Sequence, residues 1–501
     1  MENNESNETN SSKRLSWPII AGFIVVIVLI LVGLFLPPIS LGSRLSGGGQ
    51  EVGGVTPEPT ADVEVSLPEG VSLSLGSEDM VSVVNVPASE LTTAAAALPT
   101  SVFPIGNAYV LSYEGDAPPG QIAIPLPADA APLQTLDIYG WDGLSWNHVP
   151  GQFDEAGGQA VLAEGPLPRA IILARTAAPE QPAIGVEVSP EETVSPSVAP
   201  LATEVSVGTL MLGENGSLSG DLADAPEGDA DVYLRVSNRA AIVDQANLSA
   251  LLNNPAVQDA QINSLVGQAE AEGYDGVHLD YQGVPVAQEA AFTAFATKLA
   301  NALAARGLAF AISLGTPTAA GNTWETGGQD WATLGRLADI VYMDMPLDPA
   351  AYGPDGLATQ LLDWATGQIS RTKINTAHTA GTINKVGDVY TDLPVSQALA
   401  NLGQLRLISE VAEVEPGAAI EVELDGTAQP LEWDGSSLAY QYTFEQAGQP
   451  QTVWFIGESA LNNRLLVARD YNLRGIAVRG MGELGSGETY AAMFNHYVGD
   501  G

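Results

Sequence analysis

From about residue 202 onward, strand-like apolar runs alternate with amphipathic helical runs, and no other feature constrains the fold of this chain so strongly. One helix begins at Asn254-Pro255, a capping side chain followed by proline at the first helical position. A second helix spans about 287 to 306. Such alternation predicts βαβ units around a parallel sheet. We therefore predict an α/β fold, a (β/α)8 TIM barrel over residues 202–498, with a small α+β insertion before its last strand.

The chain before the barrel divides into segments of different composition. Short β-type runs separated by turn signals, including an Asp-Gly turn at Asp142-Gly143, predict a β-sandwich-like domain. Stretches rich in proline, glycine or serine on either side of it are typical of linkers. The predicted bounds are a cytoplasmic tail at 1–16, a transmembrane anchor at 17–37, a linker at 38–61, the β-rich domain at 62–174 and a Pro-rich linker at 175–201.

The run from Trp17 to Leu36 carries no charge and predicts a membrane helix. At 1.5 Å per residue it is long enough to cross a hydrocarbon core of about 30 Å. Lys13 and Arg14 precede the run and Arg44 follows it, which places the N-terminus in the cytoplasm. The prediction is a single-pass protein of the cell membrane with extracytoplasmic C-terminal domains. A cleaved signal peptide is the alternative, and it also places the bulk of the chain outside.

Charge and cysteine content exclude several classes of partner and site. The formal net charge is −42, from 60 acidic and 18 basic residues. Such a surface repels nucleic acid over roughly a Debye length of ~10 Å, so we predict no nucleic-acid partner. Without cysteine there is no disulfide, Zn–thiolate site or iron–sulfur cluster. The four histidines form no HExxH-like pair, and we predict neither a cofactor nor a dedicated metal site.

The segment GYDGVHLDYQGV, residues 273–284, delivers polar groups to the interior of the predicted barrel. Side chains two apart on a strand share a face, so His278, Asp280 and Gln282 point the same way. Apolar-faced helices flank this strand, which favours a direction toward the barrel axis. Functional groups of such barrels lie at the carboxyl ends of the strands. The segment therefore predicts a site at the barrel mouth.

This segment resembles the strand-four motif of family-18 glycoside hydrolases, Asp-Gly-x-Asp-x-Asp-x-Glu. The resemblance is closest to the bacterial branch with the spore-cortex-lytic and germination enzymes. Other fragments resemble the family in the same order, over roughly Val205 to Tyr497. They are ADVYLRVSN, LADIVYMDM, the strand near Lys373, and VWFIGESALNNRLLVARDYNLRGIAVRGMG.

The resemblance implies a division of catalytic roles. In the family, a glutamic acid at the last motif position protonates the glycosidic oxygen, while the N-acetyl group of the substrate attacks the anomeric carbon. The preceding aspartate orients that acetamido group. Here the acid position is Gln282, an amide without a proton to give. The acetamide-orienting aspartate is kept as Asp280 and the first aspartate as Asp275, but His278 replaces the middle one.

Other family positions are also altered. The strand-six Tyr-Asp pair becomes Met345-Pro346, and the tryptophan of the last strand becomes Arg479. Trp324 follows a Gly-Thr-Pro loop after a strand and is our candidate for stacking on a sugar. The predicted catalytic positions are Asp280 and the degenerate Gln282, and the predicted substrate-binding residues are Asp275, His278, Trp324, Asp344, Met345 and Arg479.

Three functions are compatible with these departures. The first is recognition of N-acetylglucosamine-type glycans, such as a polysaccharide or peptidoglycan, with weak or no hydrolysis. The second is an active envelope- or chitin-type glycosidase that uses Asp280, Asp344 or Glu483 as a displaced acid. The third is a structural or interaction scaffold. A metal bound by His278, Asp280 and Asp344 is a further alternative for the same residues.

Overall fold

The computed structural model describes most of the chain beyond residue 66. The described residues are 67–76, 81–91, 98–188, 194–222, 228–240, 242–321, 323–353, 356–407, 422–425, 430–481 and 487–499. The predicted tail, membrane anchor and first linker lie outside these ranges. Within the described ranges, every helix is too short or too polar to traverse a bilayer.

The β-rich domain consists of two antiparallel sheets packed face to face. One has the order β1-β4-β8-β7 with β9 beside β4, and the other β2-β3-β10-β5-β6. The strands are β1 (Ser72–Leu75), β2 (Ser82–Pro87), β3 (Val102–Ser112), β4 (Pro119–Pro125), β5 (Leu136–Trp141), β6 (Trp146–His148), β7 (Gly151–Asp154), β8 (Gln159–Leu162), β9 (Gly165–Pro166) and β10 (Ala170–Thr176). Alternate residues such as Ile122, Ile138 and Ile171 fill the core between the sheets.

The Asp-Gly turn joins β5 to β6 as the sequence predicts. Asp142 Oδ1 accepts the backbone N–H groups of Leu144 at 2.7 Å and of Ser145 at 2.8 Å. Gly143 adopts a φ of 105°, in the region that favours glycine. The turn is thus stabilised by its own side chain, as Asx turns are.

The barrel is closed by eight parallel strands, in the order β11-β12-β14-β15-β16-β19-β20-β28 and back to β11. The eight are β11 (Ala183–Val188), β12 (Glu204–Leu212), β14 (Asp231–Ser237), β15 (Gly276–Asp280), β16 (Ala309–Leu314), β19 (Ile340–Asp344), β20 (Ile374–Thr379) and β28 (Gly475–Arg479). Short strands β13 (Leu218–Ser219), β17 (Thr318–Ala320) and β18 (Thr323–Glu325) lie in connections. The predicted parallel barrel is confirmed.

The first barrel strand differs from the sequence-based boundary. We assigned residues 175–201 to a Pro-rich linker, yet they contain β11, which pairs with both β12 and β28. The reason is local: Pro182 and Pro190 flank the short run AIGVEV and do not interrupt it. Proline is tolerated at the ends of a strand.

The helices of the described ranges cover the outside of the barrel, except α6 (Val395–Leu402), which belongs to the insertion described below. They are α1 (Gln245–Leu252), α2 (Pro255–Glu272), α3 (Glu289–Ala304), α4 (Trp331–Leu337), α5 (Leu357–Thr366), α6 (Val395–Leu402), α7 (Glu458–Arg469) and α8 (Gly487–Gly499). Helix α2 begins as predicted, with the Asn254 side chain accepting from Val257 N–H and Pro255 in the first turn. Helix α3 buries Phe292, Phe295 and other apolar side chains of one face.

A small insertion separates β20 from α7, where the sequence predicts it. Its sheet has the order β22-β21-β27-β26-β25, with a separate pair β23-β24 and helix α6. The strands are β21 (Gly381–Val386), β22 (Val389–Leu393), β23 (Gln404–Leu407), β24 (Val422–Asp425), β25 (Glu432–Asp434), β26 (Ala439–Gln446) and β27 (Gln449–Ile456).

A buried ion pair joins the sandwich to the barrel. Arg371, in the turn before β20, donates from Nε to Asp137 Oδ2 at 2.7 Å and from Nη2 to Oδ1 at 2.9 Å. Its remaining N–H groups donate to the carbonyl oxygens of Gln134, Leu136 and Tyr471 at 2.5–2.7 Å. Neither charged side chain is more than 1% exposed. This fully satisfied, bidentate contact therefore joins sandwich and barrel, together with hydrogen bonds such as that from Gln152 Nε2 to the Trp364 carbonyl oxygen.

Arg371→Met should lower the free energy of unfolding by roughly 3–5 kcal/mol, because it leaves the Asp137 carboxylate buried without its partner. Urea denaturation followed by circular dichroism measures the change. The matched control is Arg306→Met, which removes an exposed pair with Glu270 and should cost less than about 1 kcal/mol. Equal losses for the two variants would contradict a structural role for the buried pair.

Candidate functional site at the barrel mouth

The barrel interior is polar in layers, because inward-facing positions recur every second residue along each strand. Near the amino-terminal ends, Glu204 accepts hydrogen bonds from Tyr342 Oη at 2.9 Å and from Asn375 Nδ2 at 2.7 Å. All three side chains are buried. This layer closes the bottom of the barrel with buried polar groups that are hydrogen-bonded to one another.

His278 forms the middle layer and is fully buried. Its Nδ1 lies 2.9 Å from Ser206 Oγ and its Nε2 lies 2.7 Å from Ser313 Oγ. The ring stacks on Tyr342 with centroids 4.4 Å apart. Burial lowers the pKa of His278 to about 4, so the imidazole is neutral at pH 7. Both nitrogens are thus engaged by hydroxyls, and no group of three metal-binding side chains occurs within the described residues.

Asp280, at the carboxyl end of β15, begins the upper layer. Its Oδ2 accepts from Arg235 Nη2 at 2.5 Å and from Ser237 Oγ at 3.0 Å. Its Oδ1 accepts from Gln282 Nε2 at 2.9 Å. Burial raises the pKa of this carboxyl, but the guanidinium groups of Arg235 and Arg239 more than offset it, and the pKa of Asp280 lies well below its ordinary value. Asp280 is therefore an ionised acceptor with both oxygens occupied.

Further charges complete this layer. Arg479 Nη1 lies 3.1 Å from Asp344 Oδ1, and its Nε donates to Thr379 Oγ1 at 3.1 Å. Arg239, in the loop after β14, lies 3.5 Å from Asp344 Oδ2 and 3.9 Å from Asp280 Oδ2. We call the following six residues the mouth ring: Glu187, Arg235, Arg239, Asp280, Asp344 and Arg479.

Charge in the mouth ring is balanced, with three carboxylates against three guanidinium groups. Glu187 lies 3.4 Å from Arg235 Nη1. Burial raises the pKa of Glu187, but Arg235 and Arg479 outweigh that effect and leave it below its ordinary value. Burial likewise lowers the pKa of Arg479, yet Asp344 and Glu187 raise it above its ordinary value overall. The neighbouring opposite charges therefore favour the ionised forms of Glu187 and Arg479.

Most of the predicted site residues come together at this end of the barrel. Asp280, Gln282, Asp344 and Arg479 lie in or beside the mouth ring, with His278 directly below Asp280 on the same strand. Gln282 is 6% exposed, and a Cβ at Gly315 would lie 2.5 Å from its Oε1. The glycine thus makes room for the amide.

The structure corrects the assignment of two predicted substrate-binding residues, Asp275 and Met345, while Trp324 stays a prediction. Asp275 precedes β15, and its Oδ2 accepts from Val232 N–H at 2.8 Å, at the end of the barrel opposite the mouth. Met345 follows the inward-facing Asp344, so it turns outward into the apolar core and is 3% exposed. Trp324 lies in the β17–β18 hairpin with its ring 6.1 Å from that of Trp364, partly buried against the core.

Sequence reasoning missed half of the mouth ring. Arg235 belongs to the fragment ADVYLRVSN, which resembles an early family strand, and Arg239 directly follows it, but neither arginine was predicted as a site residue. Within DVYLRVS, the alternation of Tyr233, Arg235 and Ser237 is a period-2 polar signal that could have identified an inward face. Glu187 was not identified because residues 175–201 were predicted to form a linker.

Acidification should destabilise the protein through His278. Its pKa in the folded state is about 4, and the unfolded chain titrates near 6.5, so the unfolded state binds the extra proton between these values. The free energy of unfolding should therefore fall as pH drops through that window, by about 1.4 kcal/mol per pH unit per such histidine. His378, with a pKa of about 3, adds to the effect.

Urea denaturation at pH 7, 6, 5 and 4.5 measures this slope. His278→Gln should reduce it by about 1.4 kcal/mol per pH unit, because glutamine does not titrate in this range. An unchanged slope in His278→Gln would show that His278 is protonated in the folded protein.

Comparison with known proteins gives one curated relative. No family model matches the chain. The relative is a protein of Bacillus subtilis (strain 168) named as a sporulation-specific glycosylase, YdhD, with 22% identity over 296 residues. The match covers 56% of this chain and 65% of that protein, so the chain spans about two thirds of its relative's length.

Solved structures with a similar fold include two enzymes. The spore cortex-lytic enzyme SleL of Bacillus megaterium has 18% identity and a TM-score of 0.45, with 66% of this chain and 77% of that chain covered. A chitinase of Chromobacterium violaceum has 19% identity and a TM-score of 0.46, with 64% and 100% covered. In sequence, this chain is thus similar to a sporulation-specific glycosylase, and its ordered fragments resemble the chitinase-like glycoside hydrolases of family 18.

Proposed function

We propose that the barrel mouth recognises N-acetylglucosamine-type glycans and hydrolyses them weakly or not at all. The observation that carries this proposal is the contact between Gln282 Nε2 and Asp280 Oδ1 at 2.9 Å. The position of the family's proton donor is an amide, and that amide donates its hydrogen bond to the neighbouring carboxylate. A missing general acid lowers the rate by about 10²–10⁴.

The retained aspartate does not replace the missing acid. Family-18 catalysis leaves Asp280 the task of orienting the acetamido group, which requires a free carboxylate oxygen. Here Arg235 and Ser237 occupy one oxygen and Gln282 the other. Because the pKa of Asp280 is lowered, this carboxylate holds no proton at neutral pH that it could transfer.

Asp344 and Glu483 are the other two candidates for a displaced acid. Asp344 lies between the guanidinium groups of Arg479 and Arg239, at 3.1 and 3.5 Å, which is an arrangement suited to an ionised carboxylate. Glu483 lies outside the described residues. The partly exposed arginines of the mouth ring can still bind a sugar through hydrogen bonds, and binding alone is what we propose.

We also infer, from residues 17–37, that the barrel is displayed on the outer side of the cell membrane. The uncharged run and its flanking Lys13 and Arg14 support this location. Protease treatment of intact cells tests it, since an external barrel is degraded while a cytoplasmic marker protein survives.

Wild-type protein should bind chitin oligomers or peptidoglycan fragments in calorimetric titrations and release reducing ends from them no faster than the Gln282→Ala variant does. The physical reason is that position 282 holds no proton donor in either protein. A wild-type rate more than tenfold above that of Gln282→Ala, or one abolished by Asp344→Asn, would contradict weak hydrolysis. Absence of binding to every glycan tested would overturn the recognition function.

Gln282→Glu tests whether a proton donor at position 282 restores hydrolysis. It places a carboxylic acid next to Asp280, whose negative charge raises the pKa of the new group and keeps a proton on it. Release of reducing ends should rise by about 10-fold to 10²-fold, below the full effect of a general acid, because Arg479 still occupies the position of the family's tryptophan. No increase, in a variant with wild-type binding, would show that position 282 does not limit the rate.

A further inference from the structure

We propose that the arginines of the mouth ring select glycans that carry a carboxylate on the sugar, with Arg239 as the residue that determines this specificity. The inference rests on the proposed function, since it names the class of glycan that the barrel mouth prefers. It follows from which side chains an incoming ligand meets first, and from their hydrogen-bonding state.

The guanidinium groups form the accessible side of the mouth ring. The side chains of Arg235, Arg239 and Arg479 are 16%, 26% and 15% exposed. The carboxylate side chains of Glu187, Asp280 and Asp344 are only 5%, 0% and 8% exposed. The carboxylates therefore lie below the arginines, and a ligand that enters the mouth meets N–H donors of positive charge before it meets any acidic group.

Arg239 has hydrogen-bonding capacity to offer. Its contacts to Asp344 and Asp280, at 3.5 and 3.9 Å, are longer than the ~2.7–2.9 Å of a charge-assisted hydrogen bond. Among the described residues, its side chain forms ion pairs at these distances but no hydrogen bond. Two carboxylates thus attract the guanidinium group electrostatically. Its five coplanar N–H donors remain available for hydrogen bonds to a ligand.

One further donor of the ring has no acceptor among the described residues. Arg235 Nε is buried without a hydrogen-bond partner, whereas Arg479 Nη1 has Asp344 Oδ1 at 3.1 Å as its ion-pair partner. Buried polar groups of folded proteins are rarely left without a partner. A ligand carboxylate offers two oxygens with about four acceptor sites and would satisfy donors from more than one arginine.

The overall charge of the chain limits this preference to short range. With a net charge of −42, the protein repels anions at a distance, but salt screens that repulsion beyond about 8 Å at physiological ionic strength. The ring itself is balanced, so it does not attract polyanions over long distances. What it can recognise is one carboxylate held in a defined place on a sugar ring, by bidentate contact with a guanidinium group.

Two kinds of sugar present this chemistry. One carries its carboxylate on a lactyl ether, as in N-acetylmuramic acid, and the other carries it at C6, as in a uronic acid. Both combine with N-acetylglucosamine in alternating oligomers, which makes matched ligands available. The shared chemistry is a carboxylate on a pyranose, and the arms of the experiment separate the two sources.

Calorimetric titration of the full chain with three tetrasaccharides tests the inference. The ligands are a chitin tetramer, an alternating N-acetylglucosamine–N-acetylmuramate tetramer and an alternating N-acetylglucosamine–glucuronate tetramer. At least one carboxylated tetramer should bind tenfold more tightly than the chitin tetramer. Its methyl ester, which keeps the shape and removes the charge, should lose that advantage in the wild-type protein.

Arg239→Gln should bring the affinities of the preferred carboxylated tetramer and the chitin tetramer within about twofold of each other. Arg306→Gln, at an exposed arginine on the outer helix layer, is the matched control and should leave the preference intact. Equal wild-type affinities for the chitin tetramer, both carboxylated tetramers and the esters would overturn this inference while the recognition of glycans stands. Absence of binding to all ligands would overturn both proposals. If Arg239→Gln fails to fold, the ester comparison on wild-type protein decides the matter.

Discussion

The balance of charge in the mouth ring is the constraint on which the upper half of the barrel depends. Three carboxylates and three guanidinium groups share a space that is mostly removed from water, where an unpaired charge is costly. Each member is therefore tied to the others. Arg479 is neutralised by Asp344, and Asp280 by Arg235. A carboxylate at position 282 would add a negative charge next to Asp280, which the neutral amide of Gln282 avoids. The departures from the family motif are mutually consistent in this physical sense.

The layers below the ring show how the barrel tolerates so many polar groups. His278 is neutral and bonded to two serine hydroxyls, and Glu204 is bonded to a tyrosine, an asparagine and Arg474. Charge is thus concentrated near the two ends of the barrel, and the middle is held by neutral hydrogen bonds. This separation matters because charges interact more strongly in an interior of low dielectric constant.

The periodicity of apolar and polar residues predicted those features of the fold and the site that depend on a single strand or helix. The period of two on β15 correctly turned His278, Asp280 and Gln282 to the interior, and capping residues correctly located the start of α2. The same alternation places Met345 away from the barrel interior, because Asp344 faces inward. The prediction that Met345 binds substrate followed the family pattern instead of this alternation and was wrong.

Ion pairing across elements was beyond what one sequence reveals. Arg235 and Asp280 are 45 residues apart and meet because β14 and β15 are neighbours in register, with Arg235 opposite His278. Glu187 could be found only once β11 was known to close the barrel. Trp324 stays a predicted sugar platform, since its ring lies 6.1 Å from that of Trp364 but is only partly buried.

The Arg371–Asp137 contact and the mouth ring consist of the same chemical groups but have different roles. Around Arg371, every donor has an acceptor, both oxygens of Asp137 are engaged, and the contact is closed to water. In the mouth ring, within the part of the chain that the structure describes, Arg239 has ion pairs without hydrogen bonds, and the buried Nε of Arg235 has no hydrogen-bond partner. A saturated network has nothing left to offer a ligand and can only hold the structure together. An unsaturated one at the open end of a barrel retains directional donors, and this difference in saturation, more than charge itself, separates the architectural arginine from those that face a ligand.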